Sequence, residues 1–232
     1  MDFPGTEVSC FETDCATPNL IGWLRDTVPG SIEHSILPVD HFGYDGEKGG
    51  IANREKEFAA GRHCAQNALS RWNETREIGR AEDRTPIWPT GYVGSISHSA
   101  NWVWATAAKS ASIHALGVDT EVIVDAKTRT TTQDLIGSRK DWDSLKGLEF
   151  QSETEFTVLF SAKEAFYKCW YPLAKQFFDF KDVKVDSVRP GQLTLGAIQS
   201  NPIFGKTPKS IAVHYFVEAQ NVFTVAWMAK KA

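Results

Sequence analysis

The stretch FSAKEAFYKCW, residues 160–170, contains three charged residues within an otherwise apolar run. On a helix, Glu164 and Lys168 lie one turn apart on a common face, and Lys163 lies about 100° round from Glu164. Such a helix would present two cations and one carboxylate on one short surface. A solvated, salt-bridged face is the ordinary interpretation of this pattern. A ligand-binding surface is the alternative, and it requires further acidic groups from elsewhere in the chain.

The residues on either side of this stretch predict where the helix begins and ends. Ser152 and Glu155 have the spacing of a capping box, and Pro172 cannot continue a regular helix. We therefore predict a helix over about residues 153–171. Its buried face is expected to consist of five large apolar residues: Phe156, Leu159, Phe160, Phe166 and Trp170.

A second acidic pair occurs in ALGVDTEVIV, residues 115–124, which is rich in β-branched residues and predicts a strand. Asp119 and Glu121 are two residues apart, so both carboxylates would point to the same, solvent-facing side of that strand. They could simply lie on a half-exposed face. Mg²⁺, however, prefers one or two carboxylates together with substrate phosphates and water. A strand with this acidic pair facing a helix with Glu164 would meet that preference.

Six blocks of the chain resemble those of one enzyme family. The blocks similar to the signature motifs of the 4'-phosphopantetheinyl transferases are GSISHS (94–99), GVDTE (117–121) and SAKEAFYK (161–168). The blocks that resemble the branch containing enterobactin synthase component D and the surfactin-type enzymes are AGRHCAQNAL (60–69), DRTPIWPTG (83–91) and YPLAKQFFDF (171–180). All six occur in the family's order.

The resemblance implies a Mg²⁺-dependent transferase. It would move the 4'-phosphopantetheine arm of coenzyme A to a serine hydroxyl of an apo acyl, aryl or peptidyl carrier protein, and adenosine 3',5'-bisphosphate would leave. Attack by an alcohol on a diphosphate depends mainly on positioning and charge stabilisation. The reactive serine belongs to the partner, so this chain needs no nucleophile of its own.

The resemblance also implies a role for individual residues. The implied metal ligands are Asp119, Glu121 and Glu164. The implied catalytic residues are Lys163, Lys168 and Glu164. The two lysines would steady the phosphates. Either Glu164 or a metal-bound water would accept the serine proton. The implied coenzyme A contacts are Arg54, Arg62, Arg84, Ser97 and His98.

Two further segments carry basic residues. We predict a helix over residues 52–72, on which Arg54 and Arg62 lie about 12 Å apart along the axis and Phe58 belongs to the apolar side. Surface solvation is the other interpretation of these arginines. Residues 125–147 predict either a surface loop or, by the resemblance, a docking site for the carrier protein. The residues that would dock it are Lys127, Arg129, Arg139 and Lys140, with Leu135, Ile136 and Trp142 as the apolar contacts.

Composition excludes several classes of protein. The chain has 232 residues, 42% of them hydrophobic, and a formal charge of −4, which argues against a general nucleic-acid-binding protein. The four cysteines include no CxxC pair, and we find no signal-peptide-like N-terminal run and no stretch long enough to span a membrane. We therefore expect a cytoplasmic protein, and we expect a monomer.

The order of predicted elements, a helix followed by strands, occurs twice. It predicts hairpins at residues 93–110, 181–198 and 211–229. We predict an α+β fold of two similar α/β halves related by a pseudo-twofold, each a small sheet packed on a long helix. The halves would be residues 1–115, which bind the coenzyme A nucleotide, and residues 116–232, which carry the magnesium and catalytic motifs.

Two other functions use a similar set of residues. A metal-dependent phosphodiesterase that hydrolyses coenzyme A or a holo carrier would turn over without any carrier serine. A non-catalytic module that binds coenzyme A or a carrier protein is the third possibility, but simple binding does not require three convergent carboxylates.

Overall fold

The computed structural model describes residues 16–42, 51–198 and 210–230. The helices in these ranges are α1 (Pro18–Thr27), α2 (Ile51–Ser70), α3 (Ala126–Ile136), α4 (Arg139–Leu145) and α5 (Ser152–Ala174). The strands are β1 (Ile32–Pro38), β2 (Gly79–Arg80), β3 (Pro86–Ile87), β4 (Tyr92–His98), β5 (Trp102–Lys109), β6 (Ile113–Val122), β7 (Val183–Arg189), β8 (Gln192–Ala197), β9 (Ser210–Glu218) and β10 (Asn221–Ala229).

The N-terminal half is a three-stranded antiparallel sheet in the order β1-β5-β4, packed on α2. Small residues on the inner side of α2, such as Ala65 and Ala68, lie against Val103 and Ala105 of β5. Because these side chains are small, the helix lies close to the sheet. A short β2-β3 hairpin joins α2 to this sheet.

The C-terminal half is a five-stranded antiparallel sheet in the order β6-β10-β9-β8-β7, packed on α5. The buried face of α5 includes Val158, Phe166 and Trp170, and none of the three has measurable solvent exposure. Gly117 of β6 allows the closest approach of this sheet to the helix, because a Cβ there would lie 1.9 Å from the Ala165 carbonyl oxygen. No other residue fits at position 117 without moving α5 away from the strand.

The two halves meet along β4 and β6. The hydroxyl of Ser95 accepts a hydrogen bond from the Val118 N–H at 3.0 Å, and that of Ser97 accepts one from the Thr120 N–H at 3.3 Å. Serine side chains of β4 therefore accept the hydrogen bonds from β6 that backbone carbonyls would accept in a continuous sheet. A second apolar cluster, which includes Leu20, Ile36, Trp104, Leu116 and Phe223, fills the space between the sheets.

The architecture confirms the predicted fold class: two α/β halves, each with a sheet on one long helix, although the sheets differ in size. The three hairpins are confirmed as β4-β5, β7-β8 and β9-β10. The boundary between residues 115 and 116 stays a prediction, and β6 runs across it. Of the first fifty residues, 1–15 and 43–50 lie outside the described ranges.

Both predicted ends of α5 were wrong. Ser152 is the first helical residue, its N-cap is Gln151, and no side chain caps that end. Pro172 lies inside the last turn, and the helix ends at Ala174 because the Lys175 N–H still bonds to the Tyr171 carbonyl. A proline removes only its own N–H from the helical pattern, so a turn that has already formed can continue for a few residues.

The segment that was predicted as a loop or a docking site, residues 125–147, is helical. Asp125 caps α3, and Ser138 with Asp141 forms a capping box at the start of α4. The three consecutive threonines lie on α3, where their hydroxyls bond to backbone carbonyls of the preceding turn. This back-bonding accommodates residues that have low helix propensity.

Candidate active site

Asp119 lies at the junction of the two halves, on β6 and against α5. One carboxylate oxygen, Oδ1, accepts hydrogen bonds from Lys168 Nζ at 2.7 Å and from Ser97 Oγ at 2.9 Å. The other, Oδ2, is buried and has no hydrogen-bond partner among the described residues. Asp119 is only 2% exposed, so the prediction that it lies on a solvent-facing side of the strand was wrong. The strand is covered by α5 at this point.

Ser97 supports Asp119. Its hydroxyl donates to Asp119 Oδ1 and accepts from Lys168 Nζ at 3.0 Å and from the Thr120 N–H. One donated and two accepted bonds use the full capacity of a hydroxyl. Ser97 therefore has no hydrogen bond left for the coenzyme A contact that was predicted for it, and it acts through Asp119 in this arrangement.

Glu121 and Glu164 complete a group of three acidic residues, which we call the carboxylate cluster (Asp119, Glu121 and Glu164). The pKa of Glu121 is raised to about 8, mainly by desolvation and also by the charges of Asp119 and Glu164, against the opposing effect of Lys168. Desolvation is also the main cause of the raised pKa of Glu164, which Lys168 lowers and Asp119 raises. The carboxylates of β6 and α5 are therefore close enough to influence one another's pKa, and their shared role as metal ligands stays a prediction.

The carboxylate cluster has the chemistry of an open cation site. Its donors are oxygens, one of them the buried and unpartnered Oδ2 of Asp119, and hard cations such as Mg²⁺ bind oxygen ligands. Within residues 16–42, 51–198 and 210–230, no group of three or more His, Cys, Asp or Glu side chains is placed closely enough to hold a metal ion by itself. The unpartnered Asp119 oxygen fits an ion that takes only one or two protein carboxylates and its remaining ligands from phosphates and water.

Lys168 extends from α5 into this junction. Its side chain is 27% exposed, and it bonds to Asp119 and Ser97. An ammonium group has three N–H donors, so these two partners leave one donor that can reach a ligand in the cleft. The position agrees with the predicted role in holding a phosphate.

Lys163 lies elsewhere. It is 2% exposed, and its Nζ donates to the backbone carbonyls of Ile136 at 2.8 Å, Phe180 at 2.9 Å and Val183 at 2.7 Å. Asp141 lies 3.6 Å from the same nitrogen. Burial lowers the pKa of Lys163, and the Asp141 carboxylate partly restores it.

The prediction that Lys163 shares one surface with Glu164 and Lys168 was therefore wrong. All three donors of Lys163 are used by α3, by the turn before β7 and by β7 itself. The residue ties these three elements to α5, and no donor remains for a substrate phosphate.

A polar cavity of about 710 Å³ opens beside the carboxylate cluster, and we call it the basic cavity. Its lining residues are Arg54, Glu55, Glu57, Phe58, Arg80, Arg84 and His98. His98 is the last residue of β4 and is exposed, yet desolvation lowers its pKa. Glu57, Lys168 and Asp119 also affect that pKa, so His98 lies between the basic cavity and the carboxylate cluster.

Phe58 forms an aromatic wall for two of the arginines. The guanidinium carbon of Arg62 lies 4.6 Å from the ring centroid and that of Arg80 lies 5.4 Å from it. The prediction that Phe58 belongs to the buried side of α2 was wrong, because it is 43% exposed. Desolvation, followed by the charge of Arg80, lowers the pKa of Arg62. Two cations held this close favour an anion between them.

Sequence reasoning missed Arg80. It lies in a polar segment without periodicity, and only the β2-β3 hairpin brings it back over α2. Arg54 and Arg84, two of the predicted coenzyme A contacts, line the basic cavity. Arg62 is not among its lining residues and donates to the Gly79 carbonyl at 3.0 Å. The basic set is therefore larger than the sequence alone predicted.

An apolar cavity of about 210 Å³ lies on the other side of Glu164. Its walls include Tyr167, Phe177, Phe178 and Phe180, and the Lys163 side chain also lines it although its ammonium is bonded to backbone carbonyls. Phe177 is 75% exposed, and Tyr167 packs against both Phe177 and Phe178. An exposed aromatic wall next to charged groups suits a ligand that has one apolar and one anionic part.

Comparisons with known proteins agree with this geometry. Residues 48–108 match the 4'-phosphopantetheinyl transferase N-terminal domain, and residues 115–230 match the 4'-phosphopantetheinyl transferase superfamily. No described helix is both long and apolar enough to cross a membrane.

Similar curated proteins carry related names. The 4'-phosphopantetheinyl transferase Npt of Nocardia iowensis is 30% identical over 170 residues, which are 70% of this chain and 75% of that protein. The enterobactin synthase component D of Salmonella austin is 30% identical over 195 residues, 83% of this chain and 79% of that protein. The 4'-phosphopantetheinyl transferase PptT of Mycobacterium tuberculosis is 29% identical over 147 residues, 58% of this chain and 59% of that protein.

Proposed function

Because the chain belongs to the 4'-phosphopantetheinyl transferase superfamily, whose members transfer phosphopantetheine to carrier proteins, we propose the following reaction for it. A serine oxygen of an apo carrier attacks the β-phosphorus of coenzyme A, and the bond from that phosphorus to the bridging oxygen breaks. Adenosine 3',5'-bisphosphate carries away the electron pair. The serine proton passes to Glu164 or to a water beside it.

One observation carries this proposal: the basic cavity and the carboxylate cluster adjoin at His98. Coenzyme A has a nucleotide end with a 3'-phosphate and a reacting diphosphate a short distance away. The basic cavity suits the first and the carboxylate cluster suits a cation on the second.

Asp119, Glu121 and Glu164 would hold Mg²⁺. When bound, the ion offsets negative charge on the diphosphate oxygens. Lys168 contributes a fixed positive charge beside Asp119, and the Asp119–Ser97 pair keeps its ammonium aimed at the junction. Charge that is fixed before the reaction stabilises the transition state without reorganisation.

The other groups bind and orient. Arg54, Arg80 and Arg84 hold the anionic nucleotide end, and the Phe58 ring limits how far Arg62 and Arg80 can move. The apolar cavity beside Glu164 accepts the pantetheine arm, which is uncharged. This arrangement would place the diphosphate next to Lys168, which lines the same cleft as Arg84.

The carrier protein would dock on the outer side of α3 and α4. Lys127, Arg139 and Lys140 are exposed there, and Leu135 is 60% exposed. The apolar contact is smaller than the sequence predicted, because Ile136 is 6% exposed and belongs to the core. Trp142 packs against the same core and stacks on Phe156. Arg129 pairs with Glu153 at 3.2 Å.

The direct test is incubation with coenzyme A, Mg²⁺ and a panel of apo carriers, followed by intact-mass measurement. The carrier should gain the mass of one phosphopantetheine arm, and a carrier whose acceptor serine is replaced by alanine should not. Release of product from coenzyme A without any carrier would indicate the phosphodiesterase instead. No product with any carrier, together with intact coenzyme A binding, would indicate a binding module.

A further inference from the structure

A second link between the two halves lies next to the basic cavity, at the C-terminal end of α5. Tyr171 Oη donates to Asp83 Oδ2 at 2.9 Å, and Lys175 Nζ lies 3.6 Å from the same oxygen. The Lys175 ammonium also lies 5.4 Å from the centroid of the Tyr171 ring. We call this group the inter-half clasp (Asp83, Tyr171 and Lys175).

The two oxygens of Asp83 have different partners. Oδ1 accepts from the Thr85 hydroxyl at 2.6 Å and from the Thr85 N–H at 3.1 Å, within the N-terminal half. Oδ2 bonds to α5 in the C-terminal half. The Asp83 carboxylate therefore closes a local turn in the N-terminal half and also bonds that turn to α5 of the C-terminal half.

The turn that Asp83 closes contains Arg84. Its backbone bonds run from the Ala81 N–H to the Thr85 carbonyl and from the Arg84 N–H to the Ala81 carbonyl, both 2.9 Å. Arg84 has φ of 67°, a left-handed conformation that is unfavourable for a residue with a side chain. Such a conformation persists only where surrounding bonds hold it, and those bonds here come from Asp83 and Thr85.

The other end of the clasp lies on the helix that carries the reacting groups. Tyr171 is three residues beyond Lys168, which is about 4.5 Å along the helix axis. Its ring also stacks on Tyr167, with a centroid distance of 5.3 Å. The clasp thus connects the position of Arg84 in the basic cavity to the position of Lys168 at the junction.

We propose that Asp83 and Tyr171 are positioning residues for coenzyme A: they act through Arg84, by holding its turn against α5 so that its guanidinium faces the nucleotide end. This inference rests on the proposed function, because it assumes that the basic cavity binds coenzyme A. An exposed ion pair contributes little to folding stability by itself. The Asp83–Tyr171 bond therefore has its main effect when a ligand spans both halves.

The test is a double-mutant cycle read by calorimetric binding of coenzyme A in the presence of Mg²⁺. Tyr171→Phe keeps the ring and its stacking but removes the donor. It should weaken coenzyme A binding about fivefold, the order of one charge-assisted contact at a partly exposed site. In an Arg84→Ala background the same change should have an effect of less than about twofold, because contacting residues are not additive.

A matched control removes a different bond between the halves. Asn101 Nδ2 donates to Asn221 Oδ1 at 2.9 Å, and neither residue contacts the Arg84 turn. Asn221→Ala should leave coenzyme A binding unchanged. Asp83→Asn, which can still accept from Thr85, should lose less affinity than Asp83→Ala.

Two results would overturn the clasp: parental affinity in Tyr171→Phe, or an undiminished loss in the Arg84→Ala background. A parent that does not bind coenzyme A would overturn the clasp and the proposed function together. A parent that binds coenzyme A with the expected coupling, yet modifies no carrier, would leave the clasp standing and overturn the function alone.

Discussion

Lys163 and Lys168 lie five residues apart on α5, and their surroundings are opposite. The ammonium of Lys163 is enclosed by three backbone carbonyls and Asp141, within the C-terminal half. The ammonium of Lys168 lies at the junction of the two halves, bonded to Asp119 and Ser97 and partly open to the cleft. The first lysine holds protein elements together and the second is available to a substrate. The difference comes from the fold around the helix, since the residue type is the same.

The comparison predicts the largest effect for Lys163→Met, and on stability. The change keeps the volume of the side chain but leaves the buried Asp141 without its cation. Loss of one partner of a buried ion pair costs about 3–5 kcal/mol, so the free energy of unfolding in urea should fall by that amount. Lys168→Met should lower it less, because Lys168 is partly solvated.

Lys163→Met and Lys168→Met should also differ when transfer activity is measured. Lys163→Met protein that remains folded at low temperature should transfer phosphopantetheine at a rate close to that of the parent, whereas Lys168→Met should not. Equal loss of transfer in the two folded variants would mean that Lys163 also serves the reaction, and the contrast between the two lysines would be wrong.

The next largest effect is expected for Glu164→Gln, one residue from Lys163 but facing the junction. It preserves shape and removes a charge, so transfer should fall more than about a hundredfold, as for loss of a key electrostatic group. The measurement is initial rate at saturating coenzyme A and carrier. Glu155→Gln, two turns earlier on α5, is the control and should retain parental rate. More than one tenth of parental transfer in Glu164→Gln would contradict its assignment to the metal.

A smaller effect is expected for charges on the outer side of α3 and α4, where the carrier is proposed to dock. Reversing two exposed charges, Lys127→Glu with Arg139→Glu, should raise the carrier KM about tenfold at low salt and flatten its dependence on ionic strength, since rim charges mainly set the association rate. Coenzyme A binding should not change. Lys109→Glu, at the end of β5, is the control for charge reversal away from this surface. A parental carrier KM at low salt would place the docking surface elsewhere.

The smallest effect concerns His34, an enclosed titratable group far from the reaction. Burial lowers its pKa from 6.5 to about 3, and its Nδ1 accepts from Trp104 Nε1 at 3.4 Å. The unfolded chain therefore binds a proton first as pH falls, and stability that is complete above pH 6.5 is lost progressively toward pH 3. His34→Gln should reduce the slope of unfolding free energy between pH 6.5 and pH 4.5 by at most about 1.4 kcal/mol per pH unit. An unchanged slope would mean that other groups cause the acid sensitivity.

Much of the candidate site was predictable because its groups lie in short, periodic segments. Asp119 and Glu121 alternate on a strand and therefore share a face, and Glu164 lies on a helix that the apolar pattern defines. The hairpins were predictable for the same reason, since alternation and turn residues are local signals. Arg84 followed from the resemblance of its block, and Arg54 from its place on the predicted helix that also carries Arg62.

Contacts between distant segments were not predictable. Arg80 reaches the basic cavity through the β2-β3 hairpin, whose strands have two residues each. Phe58 is exposed although the sequence pattern places it on the apolar side of α2. The burial of Asp119 depends on α5, some forty residues further along the chain. Local patterns carry no information about which element covers a given face.

The sequence by itself determined the chemistry: an acidic pair on a strand, a Lys-Glu motif on a helix, and basic residues in the order that defines the family. The tertiary structure alone decided which lysine is enclosed and which stays open to the cleft. Helical periodicity places Lys163 and Lys168 at different angles, but their partners come from segments 17 to 71 residues away. Where those segments close over the helix, an ammonium is enclosed by carbonyls, and where the two halves leave a cleft, it stays available.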